Sequence, residues 1–190
     1  MKYSVQTIKD QFTSSASLEY VFFWGHHAKP GKVTKACLSQ WFPASFLVDG
    51  TSYNSAEQYM MAEKARVFEN DDIREQILSS DDQREIKALG RKVKNFDADV
   101  WSRIAPDVVV KGNLHKFGQN PELQQFLLGT GDKILVEASP YDTIWGIGMQ
   151  ASDAGIEDPN NWKGTNLLGF ALMEVRDALN TPKPIQQQKL

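Results

Sequence analysis

Glu57 and Lys64 stand seven residues apart in Ser55-Ala56-Glu57-Gln58-Tyr59-Met60-Met61-Ala62-Glu63-Lys64. On a helix that spacing closes two turns to within about 20°, so both side chains leave one face, about 10 Å apart along the axis. An acid and an amine so placed can flank a sugar-sized ligand. A solvated helix face accounts for the same pair, so the weight falls on other clusters. In Ser139-Pro140-Tyr141-Asp142-Thr143-Ile144-Trp145-Gly146-Ile147-Gly148, a carboxylate precedes a tryptophan by three residues in a Gly-punctuated loop. Loops on a rigid scaffold carry much of a protein's chemistry. The plain account is that Asp142 caps a turn and Trp145 fills the core. Trp101, beside Val100 and Ile104, reads as a core residue, and Lys116 suits a helix C-terminus.

Other chemistries find little support. Gly146-Ile147-Gly148 lacks the next glycine of a dinucleotide fingerprint. His26 and His27 are adjacent, His115 is remote and Cys37 has no partner motif, so neither a metal site nor an activated thiol is indicated. No metal or organic cofactor is expected.

The chain has 190 residues and a net charge of −3, which suits one domain without a basic footprint for tight nucleic-acid binding. A single cysteine excludes an internal disulfide and fits a reducing compartment. Residues 1–20 are polar and mixed, and no apolar run reaches membrane-spanning length. The expectation is a cytoplasmic, soluble protein without a membrane partner.

Several elements must position these groups. Val21-Phe22-Phe23-Trp24 reads as a strand, and Lys29-Pro30-Gly31-Lys32 as a turn. Asp49-Gly50 between Phe46-Leu47-Val48 and Thr51-Ser52-Tyr53 predicts a hairpin. Ser55 and Gln58 make a capping box for the helix that carries Glu57. Helical patterns follow over 73–78, 83–89 and 97–116, with Asp71-Asp72, Ser79-Ser80 and Gly90 as starts and stops. A short helix opens at Pro121, and 133–137 reads as a strand. Residues 139–165 form an irregular stretch too long to be an idle connection. A helix over 167–179 closes the fold, and 181–190 reads as a disordered tail. The fold class is α+β: one domain over 1–180, with many helices around a small sheet.

Taken in order, Leu38-Ser39-Gln40-Trp41-Phe42-Pro43, Ser55-Ala56-Glu57-Gln58-Tyr59, Lys64, Leu89-Gly90-Arg91, Trp101, Lys116-Phe117, Leu135-Val136-Glu137, Asp142, Trp145-Gly146-Ile147-Gly148 and Asn166-Leu167-Leu168-Gly169 resemble the NADAR superfamily, which includes the YbiA-like N-glycosidases. The resemblance runs from about Phe22 to Leu179. Gln40 departs from it, where the family commonly has asparagine, which bears on one hydrogen bond in that loop.

The resemblance implies cleavage of an N-glycosidic bond to ribose. One associated substrate class is the phosphorylated ribosylamino-pyrimidine intermediates of riboflavin synthesis. The other is ADP-ribose joined through nitrogen to guanine in nucleic acid, and a non-catalytic ADP-ribose-binding module is a third reading. The expected partner is thus a small ribosyl-phosphate or ADP-ribosyl molecule, with modified nucleic acid as an alternative substrate. Lys29, Lys32 and Lys35 form a basic loop that suits a phosphate backbone or a solvated hairpin tip. By similarity the catalytic positions are Glu57, Trp101 and Asp142, with Lys64 beside them. Lys116, Arg91, Trp145 and Asn166 are taken as substrate-binding. Glu57, near a helix N-terminus, is expected as an anion that stabilises an oxocarbenium-like centre. Asp142 would orient or deprotonate water. Trp101 would stack on the base or wall the ribose. Lys64, Arg91 or Lys116 would hold phosphate oxygens. Alternatively, Lys64 would form a Schiff base with the ring-opened sugar.

Overall fold

The computed structural model describes residues 1–14, 17–27 and 31–181. Two small sheets anchor it. Strand β1 (Tyr20–Phe23) pairs in parallel with β4 (Ile134–Glu137), with Tyr20 opposite Ile134 and Phe23 opposite Glu137. Strands β2 (Phe46–Val48) and β3 (Thr51–Tyr53) form the expected hairpin. Asp49 and Gly50 take φ values of 49° and 81°, and positive φ at both central residues gives the turn whose twist matches the strands.

Among the described residues seven α-helices surround these strands: α1 (Val5–Thr13), α2 (Ala56–Val67), α3 (Asp71–Ser79), α4 (Gln83–Arg91), α5 (Ala98–Gln119), α6 (Pro121–Gly129) and α7 (Leu167–Asn180). The α+β expectation holds. Helix α1 went unforeseen, because it buries only Ile8 and its polar residues mask the pattern. The anticipated tail falls outside the described residues except for Thr181, which caps α7.

The solvated-face account of α2 fails. All seven residues from Ala56 to Ala62 are buried, and α3, α4 and α5 pack around this central helix. Ser55 caps it, its Oγ accepting the Gln58 N–H at 3.1 Å. Gln58 does not complete the box. Its Oε1 accepts the Asn54 N–H, and its Nε2 donates to the carbonyls of Ile77 and Ser80 at 3.0 Å. The end of α3 offers carbonyls without intrahelical partners, and Gln58 satisfies them.

Gly90 is not the helix stop that the sequence suggested. It lies inside α4, where a Cβ would stand 2.2 Å from Met61 Sδ, so its missing side chain lets α4 cross α2 closely. Residues 139–166 contain no strand or α-helix, as expected, only a 3-10 turn at Pro159–Asn161. Yet the stretch is fastened rather than loose. Ile147 N–H donates to Glu137 O, Lys163 N–H to Ile147 O, Asn166 N–H to Gly146 O and Leu168 N–H to Trp145 O, at 2.9–3.1 Å.

Candidate active site

The carboxylates gather where α2 begins and β4 ends. Glu57 is the second residue of α2 and only 6% exposed, and its N–H donates to Gln40 O at 2.9 Å. Gln40 belongs to the turn after a 3-10 segment, Lys35–Leu38. Its side-chain oxygen accepts from Asn113 Nδ2 at 2.7 Å, which is how glutamine is accommodated at the position that departs from the family pattern.

A helix N-terminus should favour an ionised Glu57, but burial wins. Loss of hydration raises its pKa, and the Asp142 charge adds to the rise. Lys87, the Trp41 side chain and Arg91 oppose it without reversing it. A carboxyl removed from water loses far more solvation than the partial charge of a helix end returns. Burial thus works against the expected anion: Glu57 holds its proton more tightly than an ordinary glutamate.

Asp142 forms an Asx turn, its Oδ1 accepting the N–H groups of Ile144 at 2.9 Å and Trp145 at 2.7 Å. The plain turn-cap account is correct. The turn fixes a half-buried carboxylate whose charge reaches both Glu57 and Glu137. Gly146 belongs to this turn, and a Cβ there would meet the carbonyls of Asp142 and Glu137 at 2.9 Å.

Two further charged residues lie beside these acids: Lys87, and Glu137, which the sequence resemblance included without a role. Glu137 ends β4, and burial, then the charges of Asp142 and Glu57, push its carboxyl up to about 8 against the pull of Lys87. The available signal was an acid closing the apolar run Ile134-Leu135-Val136, five residues before Asp142. Lys87 sits half-buried one turn before Arg91 on α4, with its Nζ 5.6 Å from the Trp41 ring. An i,i+4 pair of cations facing the acid-bearing helix was its signal.

Lys64 donates to Gly90 O at 2.8 Å and lies 4.0 Å from the centre of the Phe96 ring. Burial and then Arg91 lower its pKa. Arg91 is exposed at the end of α4, and its charge acts on both Glu57 and Lys64. Trp101 is half-buried near the start of α5 and packs against the core. It is not among the side chains that act on Glu57 or Glu137.

Three residues expected to bind substrate make contacts within the fold. Lys116 is 0% exposed, and its Nζ donates to Cys37 O at 2.7 Å and Ser39 O at 2.8 Å. That leaves it no surface for phosphate, and burial brings its pKa down to about 7. Asn166, in the left-handed region at φ 53°, uses both ends of its amide on β4. Its Oδ1 accepts the Glu137 N–H, and its Nδ2 donates to Leu135 O, each at 2.9 Å. Trp145 is half-buried against the core and gives its N–H to the Asp142 turn. Asn166 and Trp145 thus hold the backbone of Glu137 and the side chain of Asp142. Of the basic loop, Lys35 donates to Phe22 O at 2.7 Å, Lys32 is exposed, and Lys29 lies outside the described residues.

Cys37 is buried and free, and burial raises its thiol to about 11, so it is no nucleophile at neutral pH. Among the described residues no three His, Cys, Asp or Glu side chains are grouped to hold a metal, and no helix is long and apolar enough to cross a membrane.

The site as assembled offers carboxyls biased toward the protonated state, a fixed carboxylate and adjacent cations. This is equipment for protonating a leaving group, activating water and gripping an anion. The NADAR domain model matches residues 22–180. N-glycosidase R617 of Acanthamoeba polyphaga mimivirus is 45% identical over 164 residues, covering 84% of this chain and 95% of that protein. Riboflavin biosynthesis protein VVA0006 of Vibrio vulnificus is 32% identical over 147 residues, which are 77% of this chain but 36% of that longer protein. The NMR structure of the E. coli protein YbiA superposes with a TM-score of 0.68 at 26% identity, covering 85% of this chain and 84% of the other. The chain belongs to the NADAR family, among its N-glycosidases, and is a glycosyl hydrolase.

Proposed function

We propose that the protein hydrolyses the N-glycosidic bond of a phosphorylated ribosylamino-pyrimidine, releasing ribose phosphate and the free amine. The observation that carries this reading is that Gly146 lets the Asp142 turn close on the end of β4 at Glu137, while the charges of Asp142 and Lys87 reach both Glu137 and Glu57. Cleaving a glycosylamine requires a proton for the departing nitrogen and stabilised positive charge at the anomeric carbon. The buried acids suit the first need and the Asp142 carboxylate the second, while it also accepts a proton from water. Arg91 and Lys64, at the adjoining ends of α4 and α2, are the candidates to hold the phosphate. Trp101 retains its proposed role as a wall of the sugar or base subsite. The riboflavin link is supported by the name of the Vibrio relative. Incubation with a 5-phosphoribosylamino-pyrimidine is expected to release ribose phosphate, detected by mass.

The depressed basicity of Lys64 favours a second route. A neutral lysine amine can attack C1 of the ring-opened imine, expel the aminopyrimidine and leave a ribosyl–lysine imine that water hydrolyses. Borohydride added during turnover then fixes one reduced ribosyl phosphate on the Lys64 peptide, read by mass. Unlabelled protein in a reaction that yields product counts against the Lys64 route.

A further inference from the structure

Glu137 carries a feature that the other acids do not. Its Oε2 is shut from solvent and has no hydrogen-bond partner, although its backbone is held firmly. The N–H is bound by Asn166 Oδ1 at 2.9 Å, and the carbonyl accepts from Ile147 N at 3.0 Å. The residue as a whole stays half-buried, at the end of β4 against the Asp142 turn. Buried polar atoms are rarely left without partners, and an exception calls for an explanation. An ionised carboxylate so placed would face Glu57 from α2 and Asp142 from the loop, with only Lys87 of α4 in opposition. Acids that crowd in this way cannot all ionise.

We propose that Glu137 is the catalytic acid that gives its proton to the departing nitrogen. This role rests on the N-glycosidase reading. As the C1′–N bond breaks, its electron pair stays on nitrogen, which takes the Glu137 proton. Water supplies the oxygen that bonds to C1′ and loses a proton to Asp142. Passing that proton from Asp142 back to Glu137 restores both groups, so the cycle closes with one water consumed. Asn166 is then the residue that orients the acid, through the backbone of β4.

The test is the pH profile of kcat/KM for wild type and Glu137→Gln on a phosphoribosylamino-pyrimidine. Wild type is expected to lose rate above pH about 8, where the carboxyl surrenders its proton. Glu137→Gln is expected to fall about 100-fold or more, a usual worth for a positioned acid, and to lose that alkaline limb. Glutamine keeps the shape without the charge, so the variant should melt no earlier than wild type. Should it fail to fold, Glu137→Asp keeps the acid and is expected to retain the limb at reduced rate. A Gln variant within about fivefold of wild type, or a limb that persists in it, overturns the role. If wild type releases no ribose phosphate, the N-glycosidase reading fails and takes this role with it. Wild-type turnover with an unimpaired Gln variant removes Glu137 alone.

Discussion

Glu57→Gln is expected to lower kcat/KM by about 10³-fold while leaving the fold intact and ligand binding largely preserved. The substitution keeps side-chain volume and the Glu57 N–H to Gln40 O bond, which is made by the backbone. What it removes is a titratable carboxyl facing Asp142, Lys87 and Arg91. Stability should not suffer, because a neutral amide avoids the cost of burying charge. The sign with pH follows from the raised pKa. The folded state keeps a proton that the unfolded chain releases above its ordinary value of 4.5, so the wild-type site loses stability as pH rises. The melting-temperature difference between Glu57→Gln and wild type should therefore favour the variant increasingly as pH rises from that ordinary value. Turnover equal in both proteins would remove Glu57 from the mechanism, whereas tight binding without turnover by either would favour a binding module.

Lys116→Ala is expected to cost about 3–5 kcal/mol, the largest stability loss proposed for a residue of this region. Its ammonium satisfies the carbonyls of Cys37 and Ser39, and each carbonyl left unpaired costs roughly 1–3 kcal/mol. Truncation also leaves a void beside Phe117, whose ring centre lies 5.1 Å from Lys116 Nζ. Lys116→Met fills the void, orphans the same carbonyls and should lose less. The pH sign is opposite to that of the acids. The folded pKa is near 7 against 10.5 for an ordinary lysine, so between those values the unfolded chain binds the extra proton. Wild-type stability from this residue therefore rises with pH across that window. Denaturant titration at pH 6 and pH 9 should show the Lys116→Met deficit grow by roughly 2 kcal/mol at the higher pH. A deficit independent of pH would contradict the buried-amine account. Activity should fall as well, since the Cys37–Ser39 turn leads directly to Gln40 and Trp41, which meet Glu57.

Local chemistry made much of this architecture legible. Asp49-Gly50 demanded a hairpin, Ser55 demanded a helix start, and both stand where their residue types require. Glu57 and Asp142 were visible as acids in distinctive settings, and the structure brings their charges together. Long-range packing was less visible. Gly90 looked like a stop because a missing side chain reads as punctuation, while its role is set by Met61 on another helix. Lys116 and Asn166 were taken as ligand contacts on the family resemblance alone, and no local pattern showed that their partners are carbonyls and an N–H far away in the chain. Glu137 was included in that resemblance without a role. Its strand is read from apolar neighbours, and the cost of its charge emerges only once α2 and the Asp142 turn close around it.

The most direct measurement is a paired turnover assay with a phosphoribosylamino-pyrimidine and an ADP-ribosylated guanine oligonucleotide. Released ribose phosphate and ADP-ribose are resolved by mass. The account predicts rapid release of ribose phosphate from the pyrimidine, abolished in Glu57→Gln. Release of ADP-ribose from the oligonucleotide alone would contradict it, and would turn attention to the exposed Lys32 as a contact for the nucleic-acid backbone.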